Sequence, residues 1–136
     1  MATTPDTDVV TTLDSALATL TAGTNLFRSP PAGPDVVGLA LPQESVWVWS
    51  SGGPAPEPFV GGGTEFRYSQ VSIRVRSARD DFPGGTTLAR SVRDAIHHAT
   101  VSGYIRVFVR ESDPAYLGAT ENGHEWSIGV ELWHLQ

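Results

Sequence analysis

Apolar and polar residues alternate most regularly at residues 65–77, where Val71, Ile73 and Val75 are interleaved with Ser72, Arg74 and Arg76. A period of two predicts a strand over Glu65–Ser77 with one buried and one polar face. Glu125–Leu135 repeats the pattern, with Trp126, Ile128, Val130 and Leu132 set against Ser127, Gly129, Glu131 and Trp133. Tyr104–Arg110 carries Ile105, Val107 and Val109 on one face, and Val46–Trp49 is rich in β-branched and aromatic residues, so both read as strands. Asn25–Arg28 predicts a short strand that the proline-rich segment 29–34 ends, and Val36–Leu41 adds an extended piece. Two stretches follow the helical period instead. Val9, Val10, Leu13, Leu17 and Leu20 form a stripe over 6–21, with Pro5, Asp6 and Asp8 at its start and Gly23 as a C-terminal cap. Leu88, Val92, Ala95, Ile96 and Ala99 form another over Thr86–Ala99, after a turn at Asp80–Gly85. Ser51–Thr64, rich in glycine and proline, reads as a long loop, and Glu111–Gly123 as a connection marked by Asp113-Pro114 and Asn122-Gly123.

This order, one helix, several strands, a second helix and two more strands, predicts an α+β domain spanning residues 1–136. Alternation rather than continuous apolar runs favours a mainly antiparallel sheet of about four to six strands flanked by the two helices. A chain of 136 residues suits one domain with a core of its own. Cysteine is absent, which removes disulfides and thiolate metal sites. No apolar run approaches the ~18 residues of a membrane span. No basic residue followed by an apolar stretch opens the chain, so no secretory signal is expected. Acidic residues number 15 against 9 basic, a formal net charge of −6, and every basic residue is arginine. Such a balance is poorly suited to gripping nucleic-acid phosphates.

Catalytic signatures are missing. His97 and His98 are neighbours on a predicted helix and project about 100° apart, so they read as surface histidines suited to a helix C-terminus. His124-Glu125 lacks the second histidine of the helical zinc-protease motif and begins a strand. There is no Gly-x-Ser-x-Gly elbow, and Gly61-Gly62-Gly63 is not followed by Lys-Ser or Lys-Thr. No catalytic residue, metal or cofactor is therefore expected. Arg74, Arg76 and Arg79 cluster on and after one strand beside Asp80-Asp81, either as a solvated face with local ion pairs or as a contact with an acidic partner. Trp47 and Trp49 share a strand face whose reverse carries Val46 and Val48, so both faces look buried, by core packing or by a partner. Phe59-Val60 is an apolar handle in the 51–64 loop, which reads either as a flexible surface loop or as a docking element with Phe59 as its anchor on a neighbouring subunit or another protein. Trp47, Trp49, Phe59, Val60, Arg74, Arg76 and Arg79 are thus the candidate interface residues.

The segment from Val71 through Arg74, Arg76 and Arg79 to Asp80, followed by a short amphipathic helix, resembles the tail terminator (tail-to-head joining, or minor capsid) family of long-tailed phages. Tyr104-Ile-Arg-Val, Ser112-Asp-Pro-Ala-Tyr-Leu-Gly118 and Asn122-Gly-His-Glu-Trp126 extend the resemblance over roughly residues 67–135. It implies a non-enzymatic virion subunit without a cofactor, assembled in the host bacterial cytoplasm and located at the head-tail junction. Such a subunit forms a ring of about six that caps the tail tube, stops its polymerisation and meets a neck or stopper protein. Size agrees: a chain of this length has a radius of gyration near ~14 Å. Touching subunits leave room for a duplex of roughly 20 Å only when five or more close the ring. DNA would pass through such a channel without tight binding. Glu44, Glu57, Glu65, Asp80, Asp81 and Glu121 are the candidate channel-facing acids. A head-completion connector of the neck is the nearest alternative, and a small ligand-binding domain or enzyme the alternative of another class.

Overall fold

A computed structural model describes residues 4–30, 44–53, 57–58, 65–120 and 123–135. Its elements are α1 (Pro5–Ala16), β1 (Leu26–Phe27), β2 (Ser45–Gly52), β3 (Glu57–Pro58), β4 (Glu65–Ser77), α2 (Phe82–Ile96), β5 (Arg106–Val109), β6 (Ala115–Thr120) and β7 (Gly123–Leu135). The fold is α+β, with one sheet of order β1-β2-β4-β7-β5; β3 also pairs with β4, and β6 with β7. All pairings of these strands are antiparallel except that of β1 with β2. The two longest strands, β4 and β7, form the spine and pair continuously from Phe66–Leu135 to Ser77–His124. β5 and β6 lie end to end along the far edge of β7, on Arg106–Val109 and Ala115–Thr120 respectively.

The alternation in β4 and β7 decides what each face does. Val71, Ile73 and Val75 pair with Val130, Ile128 and Trp126, and all six are buried. Val46 and Val48 of β2 and Val107 and Val109 of β5 extend this apolar face. Val9, Val10 and Leu13 of α1 and Ala89, Val92 and Ile96 of α2 cover it, making one continuous core. Each fully buried Val, Leu or Ile contributes about 1.5–3 kcal/mol relative to exposure, so this layer carries most of the fold's stability.

Several boundaries differ from the sequence expectation. α1 stops at Ala16 rather than near residue 21. The Asn25 side chain accepts a bond from the Thr21 N–H at 2.7 Å and donates to the Thr19 carbonyl at 2.8 Å, so it holds that backbone in a turn. Leu17 and Leu20 still reach the core, from that turn. α2 begins at Phe82, four residues before the expected Thr86, and ends at Ile96. Asp81 caps it by accepting the Gly84 N–H at 3.0 Å, Pro83 fits the first turn, and the glycine pair expected in a turn is helical. Gly85 is there for space: a Cβ on it would collide with the Trp126 ring and the Ser77 side chain. β6 occupies part of the expected 111–123 connection. Its register slips between Tyr116 and Gly118, where Gly118 has φ +116°, and this bulge erases the alternation that marks a strand. Within the expected 51–64 loop, Ser51 and Gly52 belong to β2, and Glu57–Pro58 pairs with Phe66 and Glu65 as an edge piece that tolerates proline. β5 is shorter than Tyr104–Arg110, and Ile105 is exposed because it lies two residues past the Val107–Leu132 pair, beyond the last β5–β7 pair Arg106–Trp133. The extended piece expected at Val36–Leu41 lies outside the described residues.

Candidate functional site

The second face of the sheet is the one opposite the helices. Period two brings Ser45, Trp47 and Trp49 of β2 to it, with Arg74 and Arg76 of β4, Glu125 and Trp133 of β7 and Phe108 of β5. Trp47 stands across from Arg74, Arg76 across from both Ser45 and Glu125, and Trp133 across from Tyr68 and Arg106. These side chains fall into two groups.

The first group is centred on Glu125, whose side chain is almost fully buried. Its Oε1 takes the Arg76 Nε at 3.2 Å and the Arg74 guanidinium at 3.5 Å. A carboxylate so enclosed needs such partners to offset its lost hydration. Arg76 lies 5.7 Å over the Trp47 ring and Arg74 5.9 Å over the Trp49 ring. Trp47 is only 3 % exposed, stacks on Phe27 at 4.4 Å and donates from Nε1 to the Ser45 hydroxyl at 2.9 Å. Of the candidate interface residues, Trp47 and Arg76 are therefore bound into the protein itself, while Trp49 and Arg74 are half-exposed. The Arg74 Nε is enclosed without a hydrogen-bond partner among the described residues.

The second group lies at the β5 end. The Trp133 ring meets Tyr68 edge-on at 5.4 Å and Phe108 edge-on at 5.6 Å. Arg106 lies 4.5 Å over Phe108 and 5.2 Å over Trp133. Trp133 Nε1 donates to Glu131 at 2.7 Å, which fixes the indole orientation. Arg110 crosses above Gly129, where a Cβ would strike its guanidinium. No motif singles out Tyr68, Arg106, Phe108 or Arg110 as site residues. A weaker signal does exist, since the alternation of β5 and β7 turns Arg106, Phe108 and Trp133 away from the apolar side.

The other candidate residues are dispersed. Arg79 lies in the turn after β4, off this face, and its carbonyl accepts the His124 ring N–H at 3.1 Å. Glu44 and Asp80 are exposed and, with Asp81, flank one end of the sheet, where Ser45 pairs with Arg76. The Asp81 carboxylate is committed to its helix cap. Glu57 and Glu65 belong to β3 and the start of β4, at the opposite end. Phe59, Val60 and Glu121 lie outside the described residues.

The histidines do not gather into one site: the His97 and His98 rings, expected to project apart, lie 4.0 Å from each other because His98 takes φ +59°, while His124 and His134 stand elsewhere. His97 ends α2 and is half-buried rather than the surface group expected, and its Nδ1 accepts the Val109 N–H at 3.0 Å, a bond that needs the unprotonated ring nitrogen. Partial burial, followed by the positive neighbours His98, Arg93 and Arg106, holds its pKa below the ordinary histidine value. Burial, then Arg67, does the same to His134, which lies 3.0 Å from the Ser69 hydroxyl. Tyr104 donates to Asp8 at 2.6 Å, tying the start of β5 to α1; burial and then that carboxylate push its phenol well above the usual range. An open groove of about 540 Å³ beside this bond is lined by Thr11, Thr12, Ser15, Ala95, Ala99 and neighbours. Among the described residues no three His, Cys, Asp or Glu side chains gather as a metal site would require. Among them, too, no helix is long and apolar enough to cross a membrane.

The fold and this face define an α+β protein whose distinctive surface is an aromatic–arginine sheet face. No family model matches the chain. No curated protein matches it either. Among solved structures it is similar to a chain in "Virion of native gene transfer agent (GTA) particle", at 17 % identity. That match covers 82 % of this chain and 77 % of the other, with a TM-score of 0.44.

Proposed function

We propose that the chain is a structural subunit of a phage-type virion. In this reading about six copies close into a ring that caps the tail tube, ends its polymerisation and joins it to the neck. The observation that carries the reading is the sheet face opposite α1 and α2, which no helix covers among the described residues: Trp49 and Arg74 at one end, Arg106 and Trp133 at the other. Trp, Tyr and Arg dominate the energetics of protein–protein interfaces, and here they stand on a rigid sheet rather than around a concave site. The sequence resemblance supports the same reading, because residues 67–135 fold as one unit, β4-α2-β5-β6-β7, held by the long β4–β7 pairing. Phe59 and Val60 add an apolar anchor from the 51–64 segment, and exposed acids such as Glu44 and Asp80 face the channel.

The test is the native mass of the purified protein, alone and with purified tail tubes. Rings of about six that bind tube ends are the expected result. Rings that ignore tubes and bind only the neck would move the protein to the head-completion class. A chain that stays monomeric under both conditions would overturn the ring.

A further inference from the structure

We infer that the β5 end of the sheet face opposite α1 and α2, built from Tyr68, Phe108, Trp133, Arg106 and Arg110, docks an acidic surface of a second copy of this chain. The inference rests on the ring reading above and names the contact that builds it. Arginines elsewhere are mostly committed. Arg28 pairs with Asp6 at 3.9 Å, Arg90 with Asp113 at 3.2 Å, Arg93 with Asp94 at 3.2 Å, and Arg74 and Arg76 share Glu125. Arg106 and Arg110 are exposed, and among the described residues neither has a carboxylate within ion-pair distance. Glu131, the acid nearest in register, is held by the Trp133 indole.

Arg106 is also pre-shaped for contact. The Phe108 and Trp133 rings both support its guanidinium, so little side-chain freedom remains to be lost when a partner arrives. Arg106 on these rings and exposed Arg110 beside Gly129, on a chain of net charge −6, call for an acidic partner. A second copy supplies one. Its formal net charge is −6, and Asp14 in the helical layer is exposed with no ion pair among the described residues. Sheet face against another part of the next copy is a head-to-tail contact, the type from which closed rings are made.

The experiment compares native mass and sedimentation of the full chain with Arg106→Glu, Arg110→Glu and the control Arg90→Glu. Arg90 is exposed on α2, so its reversal changes net charge equally but leaves the face alone. Far-UV circular dichroism verifies that each variant is folded. The expected outcome is a ring that Arg106→Glu and Arg110→Glu each weaken by about tenfold or more, while Arg90→Glu assembles like the original chain. Rings that persist in both face variants overturn the inference and leave the ring reading intact. So does an equal loss in Arg90→Glu, which would mean bulk charge, or intact rings that no longer hold tail tubes, which would make the tube the occupant. A monomeric original chain overturns the ring reading and this contact together.

Discussion

His97 shows how a single hydrogen bond can set acid sensitivity. Its Nδ1 can accept the Val109 N–H only while unprotonated, and that bond joins the end of α2 to β5. The folded state therefore binds a proton at this ring less readily than the unfolded state, and His134 is shifted the same way. Below the unfolded value of about 6.5 the unfolded chain takes up protons that the folded chain resists. Stability is thus fully present above pH ~6.5 and declines as pH falls through the folded values. Urea unfolding between about pH 7.5 and 5.5 should show a falling midpoint across that window. His97→Gln should flatten the slope, since the replacement does not titrate; an unchanged slope would remove His97 as its source. Residue-scale chemistry of this kind was not legible in the sequence. Adjacent histidines near a helix end look like surface groups, and only the fold shows that one of them faces a strand N–H.

At the scale of elements, the strands whose polar and apolar positions alternate without interruption were legible. β4 falls at the expected residues, and β7 begins only two residues early. The sharing of one face by Trp47, Trp49, Arg74 and Arg76 follows from the same period. What the alternation does not carry is strand order. Trp133, Tyr68, Phe108 and Arg106 meet only because β7 lies between β4 and β5, a pairing across many residues of chain. The start of α2 was hidden for a different reason. Glycine reads as a turn signal, but Gly85 belongs to the helix because Trp126 and Ser77 fill the space a side chain would need. Gly85→Ala should therefore destabilise the protein although alanine is the better helix former. The clash is with a packed indole in the core, so a loss of about 1–3 kcal/mol is expected in urea unfolding. A neutral or stabilising effect would mean that Trp126 can move aside.

At the scale of the whole molecule, charge decides how a ring of these chains would treat DNA. Each chain brings a formal net charge of −6 and no lysine. Most of its arginines are paired with carboxylates of the same chain, and Arg106 and Arg110, exposed on the sheet face opposite α1 and α2, stand against aromatic rings or the strand backbone. Glu44 and Asp80 are exposed at one end of the sheet, with no ion pair among the described residues. A passage lined by that end would repel phosphates rather than exchange their counterions for arginine, so the duplex would slide and not be held. Fluorescence anisotropy with a short labelled duplex at low salt should accordingly show no micromolar binding. Neutralising the acids by Glu44→Gln with Asp80→Asn should raise the weak affinity if they line the passage, and the gain should fade as salt screens the remaining charge. Micromolar or tighter binding by the unaltered ring, lost steeply with added salt, would reveal a phosphate-gripping surface and end the sliding-channel reading.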